Sequence, residues 1–197
     1  MSDQLPAIDP QTTALIYGDY QVGIVANYPD TAPEMIRKAA VVLERARTLG
    51  LSVGFIRVGF NEEDYAAVPE ENKAFGPMAA ARRFPADAPE SQIVPELAPL
   101  PGEIVVRKVR YGGFSTTDLY EQLKARGVKT IIISGIATRG VVLSTVRDAA
   151  DKDFRIFVIK DLCLDADPQI HEVLTEKVFP AQAWVVTSDE LLAHLVN

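Results

Sequence analysis

An α/β fold organised around a parallel sheet is what this sequence predicts, on three observations. Short β-branched runs alternate along the chain with segments of helical periodicity, the pattern that lays helices over the faces of a parallel sheet. The stretch 129–134 is dominated by β-branched residues, as a strand buried on both faces requires. The 197 residues suffice for one domain, 1–197, with a full-sized core.

Taken in order, Thr13–Gly18 reads as the first strand. Ala32–Leu49 reads as a helix, because Met35, Ala39, Val42, Ala46 and Leu49 recur at alternating steps of four and three and so share one face. Thr31 and Glu34 have capping-box spacing, and Gly50 supplies the stop. Residues 51–58 read as the second strand and 103–109 as the third. A helix over 117–126 turns Leu119 and Leu123 inward and stops at Gly127. The β-branched run 129–134 is the fourth strand, followed by a helix over 140–152 and a fifth strand over 154–159. Asp167 then Pro168 supply an N-cap and a first-position proline for a helix whose apolar stripe is Ile170, Val173, Leu174 and Val178. Residues 183–186 form a last short strand, and the run from Thr187 to Glu190 caps the final helix.

The texture changes between Phe60 and Gly102, where seven of the thirteen prolines fall and periodicity fades. This segment, 60–102, reads as a long excursion with one short helix near 77–83. Excursions of this length in compact domains are usually functional, and both a lid and a subunit interface are open readings. The formal charge of −7 disfavours nonspecific nucleic-acid binding. No apolar run reaches membrane-spanning length, and residues 1–6 lack the pattern of a signal peptide. Cys163 is the only cysteine, so no intramolecular disulfide can form and a reducing, cytoplasmic location is expected.

In open parallel sheets ligands bind beyond the carboxyl ends of the strands. Three such ends carry polar or unusual residues. The first runs into Asp19, Tyr20 and Gln21; the third into Lys108, Tyr111 and Phe114; the fourth into the glycine-bracketed turn Gly135 to Gly140 and then Val141. Each feature alone has an ordinary structural role: a turn aspartate, a solvated lysine, a glycine turn opening a helix.

Together they resemble the isochorismatase-like hydrolases, also called the cysteine hydrolases. The resemblance rests on Asp19 and Gln21; on Lys108, Phe114 and the run Thr117, Asp118, Leu119; and on Gly135 to Thr138 followed by Val142, Thr145, Asp148 and Ala149. The tail adds Asp161, Leu162 and Cys163, then His171 and Leu174, then Val186 to Leu191. It covers about residues 12–195 and is specific for superfamily rather than for substrate. It implies a three-layer α/β/α fold with a six-stranded, mainly parallel sheet. It implies a homo-oligomer, dimer or tetramer, and a small-molecule substrate. It also implies a triad in which the aspartate is a general base, the lysine stabilises charge and a cysteine attacks the substrate carbonyl.

Asp19 and Lys108 match the first two members, and the nucleophile position falls on Val141. An aliphatic side chain has no lone pair with which to attack. Ser144 and Thr145 lie about one helical turn further on, where hydroxyls tend to bond backbone carbonyls. Cys163 has the surroundings of a packing residue. Isochorismatases resemble this sequence in lacking the thiol. They hydrolyse a vinyl ether, a reaction that needs a delivered proton and then water. A carboxyl group can deliver it if its pKa stands above the reference of about 3.9. Burial of Asp19 would raise that value and Lys108 would lower it, and the sequence leaves the balance open.

The resemblance further implies a cis peptide between Ile136 and Ala137, and an oxyanion hole from the backbone N–H groups of Ala137 and Val141. Gln21, Tyr111, Phe114 and Thr138 are the candidate substrate-binding residues, with Tyr111 and Phe114 equally readable as core. No cofactor is expected. No metal is expected either: relatives of the nicotinamidase type bind one through histidines after the second strand, where this chain has Asn61, Glu62, Glu63 and Asp64. Two other readings remain open. One is a non-catalytic paralogue that binds a ligand or a partner; the other is a cysteine hydrolase whose nucleophile has been removed.

Overall fold

The structure, a computed structural model, describes residues 5–195; residues 1–4, on which the signal-peptide reading partly rests, lie outside them. Among the described residues six strands, β1 (Thr13–Gly18), β2 (Ser52–Val58), β3 (Ile104–Lys108), β4 (Thr130–Ile136), β5 (Arg155–Leu164) and β6 (Trp184–Val186), form one sheet in the order β3-β2-β1-β4-β5-β6. Every neighbouring pair is parallel. The α-helices of the same residues, in chain order, are α1 (Val22–Val25), α2 (Ala32–Leu49), α3 (Glu62–Ala66), α4 (Gly76–Ala80), α5 (Leu119–Ala125), α6 (Leu143–Asp151), α7 (Pro168–Val173) and α8 (Ser188–His194).

The period of two along each strand divides the core. Leu15, Tyr17, Ile132 and Phe157 point to one face, where α2 and α8 cover them through Ala39, Val42, Leu43 and Leu191. Ala14, Ile16, Ile131, Ile133 and Ile156 point to the other, under Leu119 and Leu123 of α5 and Val146 and Ala149 of α6. Helices therefore lie on both faces, as a parallel sheet demands. Strand order reverses between β1 and β4, which opens a crevice at their carboxyl ends. Among the described residues no helix is long and apolar enough to cross a membrane.

The helical stripe of α2 is buried as its spacing predicts, and Gly50 ends it at φ 76°. Its capping box is not formed. Thr31 is itself in the right-handed helical region and makes no side-chain cap bond. The N–H of Thr31, which Glu34 would have to accept, is already taken by the carbonyl of Tyr28, and Glu34 pairs instead with Arg37. The caps at Asp167 and Thr187 do form. Two helices depart from their expected register. The helix read over 140–152 opens with a π turn, Thr138–Val142, before α6 begins. A second π turn, Leu174–Val178, follows α7, and within the expected stripe Val173 is exposed while Leu174 is buried.

The excursion 60–102 holds α3 and α4 and is sewn to the strand ends. Phe60 and Phe75 pack on Val58 as a small core of their own. Phe60 donates to Phe84 O and accepts from Ala86 N, and Arg107 pairs with Asp64. Gln21 is the central stitch. Its Nε2 donates to Val58 O and Ser91 O, both at 2.7 Å, and its Oε1 accepts from Val58 N at 2.8 Å. The side chain is fully buried, with both amide hydrogens engaged by these backbone carbonyls. Gln21→Ala takes the partner from the buried Val58 N–H and carbonyl, leaves Ser91 O only its 3.4 Å contact with Arg57 Nη1, and should cost about 3 kcal/mol. Urea unfolding should read that loss, and limited proteolysis should speed up within 60–102.

Candidate active site

The crevice is built from three tight approaches. Asp19 leaves β1 at φ 56°, a left-handed conformation that carries strain in a non-glycine residue, and its N–H donates to Ile56 O at 2.8 Å. Gly18 sits beneath Val141: a Cβ there would lie 2.9 Å from one Val141 methyl and 3.0 Å from the other. Gly135 lies against Gly18, where a Cβ would stand 2.5 Å from the Gly18 carbonyl oxygen. These glycines let β1 and the turn after β4 close on each other.

Lys108 ends β3 and reaches into this crevice. Its Nζ lies 2.8 Å from Asp19 Oδ2 and donates to Arg110 O at 3.1 Å. The Asp19 and Lys108 side chains are only 7% and 4% exposed, so water screens their attraction little. Asp19 Oδ1 is buried and has no hydrogen-bond partner. Burial raises the Asp19 carboxyl above its ordinary value, and the Lys108 ammonium opposes without cancelling that rise. The balance that the sequence left open falls to desolvation.

Val141 is buried on the π turn, over Gly18, the residue before Asp19. The Ile136–Ala137 peptide is cis. The turn is held from its far side: Arg139 N donates to Asp165 Oδ2 at 2.9 Å, and Thr138 Oγ1 lies 2.9 Å from His171 Nδ1. Thr138 is fully buried with its hydroxyl engaged, so it supports the turn rather than presenting a free group. Asp165 and His171 escaped the sequence reading as a unit. His171 was noted only as part of the family-like tail, and Asp165 only adjoined the cap pattern at Asp167 and Pro168.

The remaining candidates separate. Tyr111 is half exposed, meets Phe75 edge-on at 4.8 Å and lines a cavity of about 660 Å³ with Arg110, Leu143, Ser144 and Arg147. Phe114 is core: it stacks on Phe154 at 6.1 Å and has the Lys152 ammonium over its ring. Of its two readings, wall and core, this packing favours core. Cys163 is buried, donates to Ile159 O and has its thiol pushed up to about 12 by burial, so it is not a thiolate at neutral pH. Among the described residues no group of three or more His, Cys, Asp or Glu side chains is placed to hold a metal ion.

Comparison with known proteins agrees with this architecture. The model of the isochorismatase domain matches residues 13–190. An uncharacterized isochorismatase family protein, YecD of Escherichia coli O157:H7, is 32% identical, covering 95% of this chain and 98% of its own length. The ureidoacrylate amidohydrolase RutB of Methylobacterium radiotolerans is 30% identical, covering 91% of this chain and 78% of its own. An isochorismatase family protein from Burkholderia thailandensis superposes with a TM-score of 0.84 at 28% identity, covering 98% of this chain and all of its own. With a domain match along most of its length and full-length relatives on either side, this chain belongs to the isochorismatase-like hydrolase superfamily.

Proposed function

We propose that the protein hydrolyses a small acidic or ether-bearing metabolite without a cysteine nucleophile, with Asp19 as general acid/base and Lys108 stabilising negative charge. The observation that carries the reading is the buried Asp19–Lys108 pair in which Oδ1 is left unpartnered. Oδ2 stays on the ammonium while Oδ1 is free to hold and release a proton. Burial favours the protonated form, which suits a proton donor.

On a vinyl ether the chemistry runs in balance. Asp19 gives its proton to the terminal vinyl carbon, leaving an oxocarbenium ion. Water adds to that cation and returns a proton to the Asp19 carboxylate. The resulting hemiketal collapses to a ketone and an alcohol. Lys108 remains an ammonium throughout and anchors an anionic group of the substrate. The backbone N–H groups of Ala137 and Val141 would polarise a carbonyl or carboxylate oxygen. The acyl-thiol route is closed to this chain because Val141 offers no lone pair. The ureidoacrylate substrate named for its RutB relative is therefore not carried over. Arg110, Arg147 and Tyr111 at the neighbouring cavity suit an anionic, unsaturated ligand.

The same reading takes residues 1–197 as one domain in a cytoplasmic homo-oligomer, a dimer or tetramer, with no cofactor. The packing of Val141 against Gly18 favours one second reading, a ligand-binding protein without turnover. It predicts thermal stabilisation by a metabolite with no product formed.

Assayed against a panel of vinyl ethers, Asp19→Asn should lower kcat about a hundredfold or more. Full turnover in that variant ends the proposal. The double variant Asp19→Asn with Lys108→Met removes both charges and separates lost catalysis from a stranded buried ammonium. The pH profile discriminates acid from base. A donor works while protonated, so kcat/KM should stay level below the raised pKa of Asp19 and decline as pH climbs through it. A rate that climbs with pH over that window assigns Asp19 as a base instead. Val141→Cys should leave vinyl-ether turnover dependent on Asp19, and a gain of amidase activity in it points to a thiol enzyme that has lost its nucleophile.

A further inference from the structure

The π turn Thr138–Val142 is closed by Gly140 N on Ala137 O at 3.0 Å and by Leu143 N on Thr138 O, while the N–H of Val142 reaches Ala137 O only at 3.5 Å, beyond the usual range for such a bond. These bonds shape the turn; its placement against β1 depends on what grips it from outside. One side is packing: Val141 rests on Gly18, and Gly140 lies beneath the ring of Tyr111. The other side is polar and comes from the segment after β5.

Asp165 there has a side chain with no solvent exposure. Its Oδ2 accepts the backbone N–H of Arg139 at 2.9 Å. Its Oδ1 meets Arg139 Nε at 3.0 Å and accepts the N–H of Asp167 at 3.2 Å. Asp167 in turn caps α7, accepting from Gln169 N and Ile170 N. α7 carries His171, whose Nδ1 stands 2.9 Å from the hydroxyl of the fully buried Thr138. One carboxylate thus fixes Arg139 directly and, through the cap of α7, steadies the imidazole that fixes Thr138. Burial holds His171 below its usual range, which keeps the ring neutral and able to take the hydroxyl proton on Nδ1. Neither side chain contacts Asp19 or Lys108 by any bond in the structure.

We propose that Asp165 and His171 are positioning residues for the hydrolytic site, acting on it only by holding the 137–142 turn in register with Asp19 and Lys108. The inference rests on the hydrolase reading above. A donor aimed at developing charge loses effect when displaced by a fraction of an ångström, so loosening this turn lowers the rate without removing a reacting group.

The Arg139 side chain and its backbone separate the roles. In Arg139→Ala the ion pair is gone but the N–H still reaches Asp165. Hydrogen exchange of the 137–142 amides, read by mass spectrometry, and steady-state kinetics on the panel substrate should be measured together. Asp165→Ala and His171→Leu should each speed exchange at least tenfold within 137–142 and lower kcat at least tenfold, with KM changed less than threefold. Arg139→Ala should do neither. His171→Asn, whose amide can occupy the place of Nδ1, should recover most of kcat. Thr138→Val combined with His171→Leu should be no worse than either alone.

Unchanged exchange in the folded Asp165→Ala protein overturns the inference, as does faster exchange with kcat intact. If Asp165→Ala fails to fold, the His171 and Thr138 variants decide on the same criteria. Absence of turnover in the unsubstituted chain removes the hydrolase reading and this inference with it. Turnover that survives loosening of the turn removes the inference alone.

Discussion

A carboxylate and an ammonium held 2.8 Å apart out of water are the constraint around which the rest of the site is arranged. Each charge alone would cost several kcal/mol to bury, and their attraction offsets this only with good geometry. The geometry here is incomplete on one side, since Oδ1 of Asp19 has no donor. The raised carboxyl pKa is the thermodynamic face of its burial, which the Lys108 ammonium only partly offsets. For a carboxyl raised on folding, the stabilising contribution is present below its unfolded value and is lost as pH rises through the folded one. At neutral pH the fold therefore carries this group at a cost. The left-handed backbone at Asp19 adds to that cost, and strain of this kind gathers where function demands a particular side-chain direction.

The sheet explains how three remote segments meet. β1 and β4 are neighbours at the point where strand order reverses, and β3 delivers Lys108 from two strands away. That reach needs a long side chain, while Gly18 and Gly135 let β1 and the turn after β4 approach each other. Glycine at both positions follows from contact rather than from a turn requirement, because a Cβ at either would meet atoms at 3.0 Å or less. Val141 fills the volume above Gly18 that those glycines vacate.

Much of this was legible in the sequence. Period-two alternation and β-branched runs mark strands buried on both faces, and the α2 stripe reads directly from its spacing. Asp19, Lys108 and Val141 were recognisable as a group only through resemblance, because singly each has a common structural role. The features that stayed hidden depend on pairing across space. Gln21 looked like a ligand group until its amide met Val58 and Ser91. Phe114 lay near the motif in sequence, yet it packs on Phe154 under the helices. The two π turns were invisible because a fifth residue in a turn leaves the hydrophobic pattern nearly helical while rotating the residues beyond it. Asp165 and His171 belong to different segments from the turn they hold, so no spacing rule joins them to it.

Gln21 has a consequence beyond its three bonds. It stands two residues from Asp19, and its own N–H closes on the Asp19 carbonyl at 2.8 Å. Its amide spans β2 and the far end of the proline-rich excursion. Peeling that excursion away far enough to part Ser91 from Gln21 must slacken the short loop that aims the carboxyl. Seating of the excursion and aim of the Asp19 carboxyl are thus mechanically geared.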